Sequence, residues 1–337
     1  MNTKRRNILN HLKLFILFLL LSFCTAGVRF PFLQSETVIT AEAASVPGLQ
    51  AKITEKNILK LLKKYDSDGA YIMNTQIKNG ADILSWFQEG STIFSSIDTA
   101  VHEETHGYSY LMEKDGKAAY FIGNKKTIYV PYTTVYRSRE MAATIPSRLQ
   151  TFRYSTYVGD PDPNMASDVD GIYGLLNEFM AYRAGMNTTL ELYDYLTDQN
   201  AGWDMWAIFI NQSENDMQAY AEFKYYILHY LYYAKKNYPD IYKGIINNQQ
   251  FCKAYKKLES SYAKLIRQYQ KDLKKLQTWY ANKGYTLTIR NSTISLTNTS
   301  HRTITISRFY TTYQKLQKEL SKSRYTKLHQ KLLAGAG

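Results

Sequence analysis

A run of apolar residues near the C-terminal end constrains the fold most. Phe251, Tyr255, Leu258, Tyr262, Leu265, Tyr269, Leu273, Leu276 and Tyr280 step by four and three. Positions at that spacing share one side of an α-helix, so about thirty residues must form one helix with a single buried seam and lysines elsewhere. A seam of that length needs other helices to bury it. Helical patterns also cover 54–64, 81–88, 188–197, 214–236 and 309–333, with Asp66-Ser67-Asp68-Gly69 read as a turn. Strands are confined to two places. The runs 118–123 and 127–131 flank Gly123-Asn124-Lys125-Lys126 and predict a hairpin. From 285 to 307, threonines alternate with Leu287, Ile289, Ile294, Leu296, Ile304 and Ile306, interrupted at Asn291-Ser292 and Asn298-Thr299-Ser300, which predicts a small two- or three-stranded sheet. The expected class is α+β, mainly α-helical.

The first forty or so residues have the pattern of a targeting segment. Lys4, Arg5 and Arg6 form a basic start, Lys13 is the last basic residue before an apolar run over 14–21, and Ala41-Glu42-Ala43 offers a small-x-small cleavage site. The apolar run is short for a membrane span. This predicts a signal peptide over 1–43, of the long kind used by Gram-positive-type bacteria. The product is then secreted or cell-wall associated, with no stable membrane span after cleavage. A retained anchor is the alternative, against which Ser22, Arg29 and Pro31 break the span. Phe23 stands where a lipoprotein box before Cys24 would need a small residue.

Cleavage would remove five basic and two acidic residues, taking the formal charge from +13 to +10. That balance favours anionic surfaces such as teichoic-acid-bearing walls, acidic polymers or acidic proteins. No nucleic-acid-binding module is legible, so no nucleic-acid partner is expected. Cys24 would leave with the signal, and Cys252 alone allows no intramolecular disulfide. Thirty tyrosines suit packing without disulfides, or an adhesive surface.

The chemistry sits in His102-Glu103-Glu104-Thr105-His106. Ile93, Phe94, Ile97, Ala100 and Val101 before it form an apolar stripe, and Ser91 is a candidate N-cap, so the stretch reads as a helix ending near Met112. Two imidazoles four apart then project from one face and supply half of a tetrahedral zinc site. Glu103 stands where a carboxylate could take a proton from water at the metal. The pattern also arises by chance, so a further ligand must be sought. The stretch from Gly171 to Arg183 reads as a second helix with Leu175, Leu176, Phe179 and Met180 apolar. Glu178 interrupts that face, and a buried carboxylate needs a partner. A salt bridge to Arg183 or a surface position would also account for it. Asp160, Asp162, Asp168 and Asp170 lack the spacing of a calcium loop and read as turn and capping residues of a solvated, irregular loop over 137–171.

The motif resembles the zincin metallopeptidases, and Asn177-Glu178 resembles the third-ligand helix of their gluzincin branch. The resemblance covers the motif helix and this second helix. It implies a zincin-like catalytic domain over 44–250, with zinc held by His102, His106 and Glu178 and water in the fourth position, acting on a peptide or protein substrate. The hairpin is then a candidate edge for extended peptide. Thermolysin-like members carry an Asp four residues after the ligand Glu to orient the first His. Here Tyr182 stands there, and Asp98 is the candidate to orient His102 instead. Tyr182 is also a candidate catalytic group. His229, in the tyrosine-rich 214–236 helix, is either a core histidine or a hydrogen-bond donor to the oxyanion. The metzincin pattern fails because 107–111 holds no third His, and Glu113 lies too far along the same helix to reach the fourth corner. Residues 251–337 carry no legible chemistry and are expected to form an accessory lobe of helix and small sheet. The expected function is a secreted zinc peptidase with Glu103 as general base. The rivals are a non-catalytic zincin-fold protein that binds walls or host surfaces, and a metal-dependent hydrolase of another bond.

Overall fold

A computed structural model describes residues 46–337, and the proposed signal segment lies outside the described residues. Eleven α-helices and five strands follow in this order among the described residues: α1 (Glu55–Tyr65), α2 (Ser67–Lys78), α3 (Ile93–Met112), β1 (Lys117–Gly123), β2 (Lys126–Pro131), α4 (Ala166–Val169), α5 (Ile172–Glu191), α6 (Tyr193–Asp198), α7 (Trp203–Asn237), α8 (Pro239–Ile246), α9 (Gln249–Asn282), β3 (Thr286–Ile289), β4 (Thr293–Thr297), β5 (Thr303–Ser307), α10 (Tyr310–Leu320) and α11 (Ser323–Ala334). The fold is mainly helical with two small antiparallel sheets. No described helix is long and apolar enough to cross a membrane.

Helix α5 lies at the centre, packed between α3 and α7, with α9 against both α5 and α7. The stripe Ile93, Phe94, Ile97, Ala100 and Val101 is buried on α3. Burying each of the large side chains contributes roughly 1.5–3 kcal/mol. The α9 seam is buried as its spacing predicts, except that Ile266 takes the deep position beside a partly buried Leu265. At 3.6 residues per turn, a step of four there keeps the stripe facing α5 and α7. The seam tyrosines also answer polar groups on α7. Tyr262 Oη donates to the Asp216 carbonyl (2.8 Å) and Tyr269 Oη to Glu214 Oε1 (2.9 Å). Aromatic rings thus fill the core while their hydroxyls satisfy groups that burial would otherwise leave unpaired.

This packing corrects the expected division at 250/251. Residues 46–337 form one compact unit, and α9 is a wall of the same core as α5 and α7. Strands β3 to β5 pack on α9 and α7, while α10 and α11 close over α7.

Other expectations shift locally. Asp66-Ser67-Asp68-Gly69 starts α2: Asp66 Oδ1 accepts from Gly69 N (3.0 Å), so residues that resemble a turn form an N-cap. The cap of α3 is Thr92, not Ser91, with Thr92 and Ser95 exchanging side-chain-to-backbone bonds. The stretch around Ile83 is a 3-10 turn over Ile83–Trp86, and the last helix breaks into α10 and α11. The loop over 137–171 contains short 3-10 and π turns. Asp168 is fully buried there, accepting from Arg137 Nε (2.8 Å) and Arg139 Nε (2.8 Å), so it locks the loop and is not a solvated residue.

The β1–β2 hairpin turns through Asn124 and Lys125, both at positive φ (53° and 56°). Primed turns require that backbone, which asparagine tolerates and lysine does not favour. Asp68 on α2 holds it by accepting from Asn124 N (2.8 Å) and Lys125 N (3.0 Å).

Candidate metal centre

Helices α3 and α5 cross closely where Gly185 permits it. A Cβ on Gly185 would lie 3.2 Å from the Asp98 carbonyl and 3.6 Å from His102 Cβ. A Cβ on Gly174 would lie 1.9 Å from the Ala166 carbonyl, so the first turn of α5 sits directly on the α4 backbone. These contacts set the depth at which α5 presents Glu178 to α3.

The structure brings His102, His106 and Glu178 together in a buried cluster, with ligand atoms within 4.8 Å of one another. His106 Nε2 is 3.2 Å from His102 Nε2 and 3.5 Å from Glu178 Oε2, and His102 Nε2 is 4.0 Å from Glu178 Oε2. The equidistant point in the plane of three atoms so separated lies about 2.1 Å from each, within the roughly 2.0–2.2 Å of zinc–nitrogen and zinc–oxygen bonds. Glu178 Oε2 is buried without a hydrogen-bond partner among the described residues. At 3.5 Å from His106 Nε2 it feels that ring electrostatically but makes no good hydrogen bond. An orphaned carboxylate oxygen facing two ring nitrogens is a donor set that fits a cation. No carboxylate of Asp160, Asp162, Asp168 or Asp170 belongs to this cluster.

A chain of hydrogen bonds fixes the tautomer of His106. Ser109 Oγ donates to the Ala119 carbonyl on β1 (2.5 Å), and Asn177 Nδ2 donates to Ser109 Oγ (2.8 Å). That orients the Asn177 amide so that Oδ1 accepts from His106 Nδ1. With its Nδ1 proton held by Asn177, the ring turns Nε2 toward His102 and Glu178, where its lone pair would serve a cation that displaces the Nε2 proton. Sequence reasoning missed Ser109, although a signal was present: positions 102, 106 and 109 share a helix face. It noted Asn177 only as the neighbour of Glu178.

His102 is held differently. The Tyr182 ring packs edge-on against it, with centroids 4.3 Å apart. Tyr182 Oη lies 3.1 Å from Tyr157 Oη, and the Arg153 guanidinium lies 4.5 Å over the Tyr182 ring. Arg153 is itself buried and paired with Glu222 (2.8 Å). Asp98 does not orient His102. Its Oδ1 accepts from Thr99 N (2.6 Å) and from Gln212 Nε2 on α7 (2.8 Å), and burial pushes its carboxyl up to about 6.

Glu103 reaches toward the cluster, with Oε1 3.8 Å from His102 Nε2 and Oε2 buried without a hydrogen-bond partner among the described residues. Burial, with Glu178 and Glu104 adding to it, raises its carboxyl to about 8, before the charge of any bound cation opposes that rise. Burial and the neighbouring His106 hold His102 well below the ordinary imidazole range, so it stays neutral, as a metal ligand must. His106 rises to about 9: burial opposes its charge, and the nearby Glu178 carboxylate outweighs that. Glu104 faces the other way, accepting from Trp86 Nε1 (2.8 Å). Glu113 accepts from Tyr132 Oη (2.7 Å) and is not in the cluster.

His229 belongs to a different set of contacts. Thr144 Oγ1 donates to the Met141 carbonyl (2.6 Å) and so accepts from His229 Nε2 (2.9 Å), while Tyr325 Oη on α11 donates to His229 Nδ1 (2.8 Å). Both ring nitrogens are engaged, so His229 has no proton to offer an oxyanion at the cluster. Burial, with Arg324 close by, lowers it to about 4.

Comparison with protein-family models, with curated proteins and with solved structures found no match to this chain.

Proposed function

We propose that the protein is a secreted zinc-dependent peptidase of the gluzincin type, with zinc held by His102, His106 and Glu178. The observation that carries this reading is the orphaned Glu178 Oε2, set at metal-ligand separation from two ring nitrogens. Two imidazoles and one carboxylate leave the fourth tetrahedral position open, the arrangement of catalytic rather than structural zinc sites. Bound there, zinc would polarise a peptide carbonyl and acidify water. Glu103 acts as the base: its carboxylate takes the proton of the attacking water and delivers it to the leaving amine. Asn177 and Ser109 hold His106 in its ligating tautomer, and Tyr182 holds the ring of His102. The export reading rests on the basic and apolar pattern of 1–43.

The test is peptide cleavage by the purified protein with zinc, with chelator, and as Glu103→Gln. The expected result is cleavage that chelator abolishes and zinc restores, with the variant binding zinc normally but cleaving several orders of magnitude more slowly. A wild-type protein that binds zinc and cleaves nothing in a broad peptide library would overturn the enzymatic reading in favour of a non-catalytic binding protein.

A further inference from the structure

Helix α9 carries a second periodic pattern, opposite its buried seam. Lys253, Lys257, Lys264, Arg267, Lys271 and Lys274 step by four and three, with Ser260 filling the one gap, and all six are exposed. The same 3.5-residue average that keeps the seam on the core keeps these cations in a single outward file. At 1.5 Å per residue the file is about 30 Å long with a charge roughly every 5 Å where it is unbroken. An exposed helix face ordinarily mixes lysine with glutamate three or four residues away. This one does not. The acids of α9 are Glu259 and Asp272, and both are withdrawn: Glu259 pairs with Lys224 on α7 (2.6 Å), and the buried Asp272 with Lys275 (3.0 Å). Among the described residues none of the six makes an ion pair, although Glu191 on α5 feels the field of Lys264. Like charges three and four apart repel and destabilise the helix, so the file is a local conflict with stability. The imbalance is regional: 251–337 holds eighteen basic and three acidic residues, whereas the remainder after residue 43 holds nineteen and twenty-four.

We propose that this ridge binds a linear polyol-phosphate polymer, of the kind that decorates bacterial walls, along the length of α9. A row of single charges matches a flexible chain of regularly spaced phosphates. The ridge has no exposed aromatic ring on which nucleic-acid bases would stack, and no apolar residue that would enter a lipid surface. Binding there leaves the metal cluster free. Phe179, beside Glu178, touches Tyr262 on the seam side of α9, and the ridge is on the other side.

The experiment titrates the purified protein with deacylated poly(glycerol phosphate) at several salt concentrations. Single-stranded RNA and anionic phospholipid vesicles are titrated in parallel. Six phosphate contacts predict a log–log salt slope of about −4, falling to about −2 in Lys257→Gln/Lys264→Gln/Lys271→Gln, with at least about tenfold weaker binding at low salt. Lys52→Gln/Lys56→Gln/Lys63→Gln, with the same charge removed from outside the ridge, should keep the steep slope. A melting temperature no lower than wild type would show that both triple variants are folded. A slope that is the same in both triple variants overturns the proposal, as does binding of RNA or vesicles without binding of the polymer.

Discussion

Asn177 Oδ1 accepts a hydrogen bond from Nδ1 of His106, across the α3–α5 crossing and one residue from Glu178. The residue that orients one candidate ligand is thus adjacent in sequence to another. The one helix crossing thus sets both the orientation of the imidazole and its 3.5 Å separation from the carboxylate.

Asn177→Ala should therefore lower zinc affinity by about 10–100-fold while leaving all three ligands in place, because His106 loses the acceptor that fixes its tautomer. Asn177→Asp, which keeps the acceptor, should lose much less. Competition with a chromophoric chelator measures both. Equal affinities for wild type and Asn177→Ala would show that the amide has no part in the site.

Glu178→Ala and Glu104→Ala should separate cleanly. The first removes a ligand and should weaken zinc binding by orders of magnitude. The second should leave zinc binding close to wild type and cost about 1 kcal/mol of stability, because the half-buried Trp86 loses its hydrogen bond to Glu104. Chelator competition paired with thermal melts reads both effects. Zinc loss in the Glu104 variant would contradict the geometry.

The pH dependence of stability should carry the mark of His229. Its folded pKa of about 4 lies below the ordinary imidazole value of 6.5, so the unfolded chain binds the extra proton first as pH falls. The contribution of this group is present in full above about pH 6.5 and is lost as pH falls through 4. Between pH 7 and 4.5 the wild type should lose about 2 kcal/mol more than His229→Gln, which cannot titrate. Denaturant unfolding at the two pH values measures the difference, and equal losses would contradict a buried neutral ring between Thr144 and Tyr325.

The sequence disclosed most where one physical requirement produces a repeating pattern. The α9 seam, the hairpin, the threonine-rich sheet and the helix bearing His102 and His106 are legible because burial imposes a period of 3.6 or 2 on them. Glu178 was legible as a charge interrupting an apolar face. What escaped depends on contacts between distant segments. Asp66 and Gly69 have the composition of a turn, and only the packing of Ile72 and Met73 makes them the start of α2. Asp98 has the right helical spacing for His102, but Gln212, more than a hundred residues later, claims it. His229 is placed by Thr144 and Tyr325, and no local pattern announces either. The accessory lobe was expected because 251–337 carries no legible chemistry, yet the apolar face of α9 completes the common core.

The central claim is that His102, His106 and Glu178 hold one zinc ion. Its most direct test is zinc K-edge X-ray absorption on the purified protein and on Glu178→Ala. The predicted result is one zinc per chain with two imidazole nitrogens and light oxygen neighbours at about 2.0–2.2 Å, lost or rearranged in the variant. A spectrum dominated by sulfur at about 2.3 Å, or one identical in Glu178→Ala, would contradict it.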